Sequence, residues 1–245
     1  MLERRIELEG ITNFRDLGGY QTVEGAKVKW HTIYRSDTLS SLTDADMETV
    51  SGLGISAVFD LRYGEERQLE PNRFLGHDQV DVLELGLEER PDTNSLDSLD
   101  TTVDMAETAR AYMTEGYRNY PFFYADAYRA MIDRLTRGEK IVVHCTAGKD
   151  RAGTAAAMML TVLGVPRDTV FEDYLLTNQY WDRGGRVRAD MDAETVANIF
   201  SAREDYLSNA FASFEARCGS LDAYIADILK LDTAALNAFR GACLD

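Results

Sequence analysis

The chain has 245 residues, 45% hydrophobic and 28% charged, which is length enough for one sizeable domain with a substantial core. Its formal net charge of -16 repels nucleic acid and anionic membrane surfaces, so neither is expected as the main partner. A site for a phosphorylated substrate would have to be a local positive island on a negative protein.

The N-terminal stretch MLERRIELEG has no long apolar run, so neither a signal peptide nor an integral membrane anchor is expected. No segment approaches the roughly 18 to 20 apolar residues of a spanning helix. Three cysteines without close pairing, Cys145, Cys218 and Cys243, read as reduced thiols of a cytoplasmic protein; export by a route needing no signal peptide stays open. His31, His77 and His144 do not stand at metal-ligand spacing from each other or from a cysteine, so no zinc site is expected.

In chain order, ITNFRDLGGYQTVEGAKVKWHTIYRSD mixes turns, signalled by Gly18-Gly19 and Glu24-Gly25, with short extended pieces. SLTDADMETVSGLG predicts a short helix capped by Thr43 and stopped at Gly52 or Gly54. Ile55 to Asp60 is a brief apolar run ending on a carboxylate, as a buried strand does when its tip enters a site, and VDVLELG predicts a second strand. The acidic, turn-rich span that follows opens into a helical stretch through Tyr117. Within a single domain of residues 1–245, the region 88–118 reads either as a lid insertion or as a merely mobile loop. Pro121 starts the next helix and Gly138 ends it. KIVVH is strand again. The remainder is helical: Arg151 to Leu163, Pro166 to about Tyr180, Ala193 to about Arg217, and two short helices from Ser220 and Asp232. The alternation predicts an α/β sandwich, a central mostly parallel or mixed sheet flanked by helices, with a helical C-terminal part.

KIVVH-CTAGKDR-AGTAAAMMLTVLG has the form strand, tight loop, helix. Such a loop aims several backbone N–H groups at one point, and the helix adds its unsatisfied first-turn donors and positive dipole end. That nest suits a tetrahedral oxyanion, and Arg151 supplies a planar fork for two of its oxygens. The same donors favour the thiolate of Cys145, an activated nucleophile for in-line attack on a phosphomonoester. His144 is expected to order the loop from behind. Buried packing remains the ordinary fate of a free cysteine and is the reading for Cys218 and Cys243. A nucleotide-binding P-loop does not fit, because Lys149 is followed by Asp150 and the leading glycine is missing. A sulfur carrier fits less naturally with Arg151 opening the helix.

HCTAGKDRAG resembles the C-x5-R signature of cysteine-dependent phosphatases, and more narrowly the atypical bacterial protein-tyrosine phosphatases with an HC-x-AGKDR loop. TNFRDLGGYQT, IYRSDTLSSLTDAD, LGISAVFDLRYGEE and VPRDTVFEDYLLTN match further blocks, spanning roughly Ile11 to Asn178. The resemblance implies a phosphatase-type mixed sheet and no metal or other cofactor. It implies Cys145 as nucleophile, Thr146, Ala147, Gly148 and Lys149 through Arg151 as the phosphate loop, and Arg151 as the transition-state clamp. Some members also hydrolyse phosphoinositides, and Lys149 would suit such heavily phosphorylated headgroups. The expected substrate is therefore a phosphotyrosine protein, with a phosphoinositide or small polyol phosphate as the alternative and inorganic phosphate as product. Many cysteine phosphatases carry Ser or Thr after the arginine to help expel the thiolate. Here Ala152 stands there and Thr154 follows two residues on, so slow breakdown of the intermediate, or even a phosphate-binding module without turnover, comes into view.

A leaving group also needs a proton. Asp60, at a strand end, and Asp150, inside the loop, are the candidates. Asp150 could instead brace the loop, and Asp60 could be ion-paired with Arg62 or another arginine. Arg62 and Arg15 are grouped with the substrate-binding residues; for Arg15 the alternative is a turn with a buried Arg–Asp pair. Arg35 could brace the cysteine loop. Arg183, Arg186 and Arg188 form a basic cluster that reads as a headgroup site or as a solvated loop.

Overall fold

The computed structural model describes residues 3–90, 104–183, 185, 187, 189 and 191–245. Five strands form one sheet: β1 (Arg15–Asp16), β2 (Ile33–Ser36), β3 (Ala57–Asp60), β4 (Asp81–Glu84) and β5 (Ile141–His144). Their spatial order is β1-β2-β5-β3-β4, with β1 antiparallel to β2 and the other pairings parallel. The three central strands are buried along their whole length. Side chains alternate between the two faces: Ile33, Phe59 and Val143 enter the larger core, while Tyr34, Val58 and Val142 enter a smaller one with Phe14, Leu39 and Val50.

The helices are α1 (Asp44–Gly52), α2 (Gly64–Leu69), α3 (Met105–Phe123), α4 (Ala125–Thr136), α5 (Arg151–Leu163), α6 (Arg167–Leu175), α7 (Thr177–Tyr180), α8 (Ala193–Phe200), α9 (Glu204–Cys218), α10 (Leu221–Asp227) and α11 (Thr233–Cys243). The architecture is the α/β sandwich expected, with a mixed sheet and a helical C-terminal part. Among the described residues no helix is long and apolar enough to cross a membrane.

Register places the site. Ser36, Asp60 and His144 are direct neighbours at the carboxyl edge of β2, β3 and β5. The chain leaving each strand there therefore converges on one spot, where parallel sheets build sites. Helix α5, buried at all but Thr161, can lie close to the sheet because residues 152–157, after Arg151, are all small.

Several boundaries differ from the sequence expectation, among them the division of the helix expected from Pro166 to about Tyr180 into α6 and α7. Helix α3 runs through Pro121 to Phe123, where a new helix was expected to start. Side chains anchor the end of the helix: Tyr128 Oη donates to Tyr120 O at 3.2 Å and Tyr224 Oη to Pro121 O at 2.5 Å. The helix expected from Ala193 to Arg217 is broken between α8 and α9, because Asn178 hydrogen-bonds both the N–H and the carbonyl of Ala202 and holds that turn open. Helix α2 was not expected at all. Of the proposed lid, residues 91–103 lie outside the described residues; its later part is the start of α3, whose inner face is buried at Ala106, Ala109, Met113 and Tyr117.

Candidate active site

Residues 145–150 join β5 to α5, and the surrounding scaffold grips this loop by its carbonyls. Thr38 N–H donates to Thr146 O at 3.1 Å, Asn13 Nδ2 to Ala147 O at 2.9 Å, and Arg35 Nη2 to Gly148 O at 2.6 Å. In a trans peptide the N–H points opposite to the carbonyl. Three carbonyls drawn outward thus turn the N–H groups of Ala147, Gly148 and Lys149 inward, and among the described residues none of the three has a protein acceptor. Unpaired donors in a largely buried loop call for an anion. Gly148 makes this path feasible: its φ is +65°, and a Cβ there would sit 2.4 Å from Ser36 O. Cys145, which opens the loop, is 1% exposed.

Arg151 enters from the first turn of α5. Its Nη1 and Nη2 form a two-pronged ion pair with Glu66 at 2.5 and 3.0 Å, and Nη1 also reaches Leu61 O at 3.3 Å. The guanidinium lies 4.5 Å from the Tyr63 ring centroid. Glu66 is itself pinned, accepting from Tyr63 N–H at 2.7 Å and from the Thr146 hydroxyl. Burial works against its charge, but Arg151 and these hydrogen bonds outweigh that and bring its pKa down to about 2. Burial likewise opposes the charge on Arg151, while Glu66 and Cys145 more than restore it. Arg151 Nε–H has no protein acceptor among the described residues and remains free for a ligand oxygen.

Asp150 is partly exposed, accepting at Oδ1 from Tyr117 Oη at 2.7 Å with Lys149 Nζ at 3.4 Å. Lys149 does not face the cradle. Its ammonium is buried against the carbonyl of Ile199 near the end of α8, and burial lowers its pKa against the pull of Asp150.

Two arginines expected near substrate are elsewhere. Arg62 is 1% exposed, bound by Nε and Nη2 to Asp60 and by Nη1 to Ser40 Oγ at 2.9 Å and Glu70 O at 2.7 Å. Arg15 is fully buried, with Nε 3.2 Å from Asp173 Oδ1 and Nη2 2.9 Å from Asp173 O. A guanidinium with its donors spent inside the protein has none for substrate. Asp60 is wholly buried in its pair with Arg62, with His144 Nε2 at 3.3 Å. Burial opposes its charge, yet His144 and Arg62 hold it far below the usual carboxylate range, and both its oxygens are engaged by Arg62 inside the protein. The ion-pair alternative is the one the geometry contains.

His144 lies behind the loop, with Nε2 2.8 Å from Asn72 Nδ2 and Nδ1 3.2 Å from Cys145 O. Arg35 is the loop brace, joined to Asp173 at 2.8 Å, so Asp173 on α6 holds Arg15 and Arg35 together. Burial resists the Asp173 charge, but the two arginines bring its pKa down to about 2. Ala152 and Thr154 are fully buried, and Thr154 Oγ1 has no hydrogen-bond partner among the described residues. Arg183 donates to Ser201 Oγ at 3.1 Å, while Arg186 and Arg188 lie outside the described residues.

Sequence reasoning missed Glu66, Asp173 and Tyr117. Glu66 carried a signal: a Glu at the third helical position before a closing proline, Pro71, is a helix-start pattern. Asp173 looked no different in the sequence from Asp168 and Glu172 on the same helix, and Tyr117 carried no local signal.

A cysteine opening an oxyanion nest, with an arginine fork on the helix behind it, is the arrangement a cysteine-dependent phosphatase needs. The sequence model of the tyrosine phosphatase family matches residues 6–245, and the chain belongs to that family, making it a phosphoric monoester hydrolase. A Cupriavidus necator protein provisionally named a tyrosine-protein phosphatase is 30% identical, covering 94% of this chain and 86% of its own length. The triple specificity protein phosphatase PtpB of Mycobacterium tuberculosis is 29% identical over 97% of this chain and 98% of its own. A tyrosine-protein phosphatase of Nostoc commune is 26% identical over 60% of this chain and 48% of its own.

Proposed function

We propose that the protein dephosphorylates phosphotyrosine in proteins through a cysteinyl-phosphate on Cys145. The observation that carries this is the set of inward, unpaired N–H groups of Ala147, Gly148 and Lys149 beside the Cys145 thiol. Phosphoryl oxygens take those donors and the free Nε–H of Arg151, while Glu66 holds the guanidinium in plane. The Cys145 thiolate attacks phosphorus, the bond from phosphorus to the phenolic oxygen breaks, and the leaving oxygen takes a proton from Asp150. Water then attacks the cysteinyl-phosphate, Asp150 accepts its proton, and phosphate departs as the thiolate is restored. Asp150 is the acid in this reading because it is the partly exposed carboxyl of the loop, whereas Asp60 is buried and paired. The three free cysteines suit a reducing, cytoplasmic setting.

A phosphoinositide preference resting on Lys149 finds less support, since its ammonium is spent on Ile199 O rather than offered to a headgroup. The decisive experiment is turnover. Release of many equivalents of phosphate from a phosphotyrosine peptide, abolished by Cys145→Ser, is expected. Faster release from phosphoserine peptides or phosphoinositides in the same panel would overturn the tyrosine preference, and stoichiometric binding without release would mark a phosphate trap.

A further inference from the structure

Helix α3 faces the loop with a buried tyrosine that the reaction above does not use. Tyr117 Oη lies 2.7 Å from Asp150 Oδ1 and 2.5 Å from Tyr174 Oη, and Tyr174 Oη in turn accepts from Arg203 N–H at 3.4 Å. A phenol has one proton to give. The Tyr117 proton goes to the carboxylate, so Tyr174 must donate to Tyr117. The chain then has one direction, from Arg203 N–H through Tyr174 and Tyr117 to Asp150. We propose that Tyr117, oriented by Tyr174, is a positioning residue that pins Oδ1 of Asp150 as an acceptor and so leaves Oδ2 to carry the catalytic proton toward the leaving group.

Several features make the arrangement one-way. Among the described residues Asp150 Oδ2 has no hydrogen-bond partner, so it is the oxygen open to a reacting group. Tyr117 and Tyr174 are fully buried, which keeps both as phenols: burial first, then the nearby Asp150 charge, drives each far above the ordinary phenol range. Oδ1 can accept from Tyr117 whether Asp150 is charged or protonated on Oδ2, so the same bond serves the donating and the water-activating steps. Among the described residues, the titratable groups that feel the Asp150 charge are Lys149 on the loop, Tyr117 and Tyr120 on α3, Tyr174 on α6 and Tyr206 on α9, while Arg151, next in the chain, is held by Glu66. Lys149, at 3.4 Å, is the cation among them, and among the described residues Tyr117 is the group donating to Oδ1 at full hydrogen-bond strength.

The inference rests on Asp150 being the acid, and the test separates the two ideas. Rates for phenyl phosphate, a poor leaving group, and 4-nitrophenyl phosphate, a good one, are measured against pH for the wild type, Asp150→Asn, Tyr117→Phe and Tyr174→Phe. Removing a donor to a carboxylate disfavours its charged form, so the acid keeps its proton to higher pH. The alkaline limb of kcat/KM for phenyl phosphate in Tyr117→Phe is expected to move up by about half to one pH unit. At the pH optimum its kcat/KM, which reports the step that expels the leaving group, should fall about tenfold on phenyl phosphate and little on 4-nitrophenyl phosphate. Tyr174→Phe should show a smaller shift of the same sign, and it carries the test if Tyr117→Phe melts too low to assay. If Asp150→Asn slows phenyl phosphate but Tyr117→Phe keeps the wild-type limb and leaving-group ratio, the positioning role is refuted and the acid stands. An equal loss on both substrates with an unmoved limb would reduce Tyr117 to a structural support. If Asp150→Asn spares phenyl phosphate, the acid assignment itself falls.

Discussion

Replacing Glu66 by glutamine keeps the shape of the side chain and removes the charge that faces Arg151. In the folded protein the Glu66 pKa lies at about 2, against an ordinary value of 4.5. That displacement corresponds to on the order of 3 kcal/mol favouring the folded state when the carboxylate is charged. The side chain is only 16% exposed, so solvent screening does not erase the effect. Because the folded-state pKa is the lower one, the stabilisation is fully present above about pH 4.5 and is lost as pH falls toward 2. For a chain of 245 residues, roughly 2–4 °C per kcal/mol gives a melting temperature lower by about 6–12 °C in Glu66→Gln at pH 7. Calorimetric melts of both proteins from pH 7 down to pH 3 would show this gap narrowing once the pH drops below about 4.5. No gap at neutral pH, or a gap that does not narrow with acid, would refute the view that the Arg151 pair is a net stabilising interaction.

Gly148→Ala should destabilise by at least about 2 kcal/mol and abolish turnover, since a Cβ would overlap Ser36 O in a left-handed backbone that alanine resists; denaturant titration and phosphate release check both. Asp173→Asn leaves Arg15 and Arg35 buried without their shared counter-charge, at a cost of about 3–5 kcal/mol, and should lower kcat as Arg35 loosens its hold on Gly148 O. With Ala152 where a hydroxyl often stands, cysteinyl-phosphate should accumulate, visible as a stopped-flow burst with 4-nitrophenyl phosphate that shrinks in Ala152→Ser; absence of a burst would place the slow step earlier.

The sheet, most helices and the cysteine loop were legible in the sequence because each rests on local patterns. Apolar runs of strand length, capping residues such as Thr43, and glycines at turns act over a few residues. Helix α2 and the break between α8 and α9 were less legible. The first is six residues long, and the second is set by Asn178, distant in sequence from the turn it holds. The arginines show the same limit. Arg15, Arg35, Arg62 and Arg151 all come from short polar motifs, and any of them could face a phosphate on composition alone.

What the sequence determined by itself is the chemical kit: a cysteine at a strand end, small residues that let a loop turn and a helix approach, and an arginine one helical turn on. Those follow from bonding within about ten residues. The tertiary structure decided which charges are free to act. It ties Arg15 and Arg35 to Asp173 and Arg62 to Asp60, turns Lys149 away, and leaves Nε of Arg151 and Oδ2 of Asp150 open. The reason is that a buried charge must find its partner wherever the fold brings one, and such partners stand up to 158 residues apart in this chain.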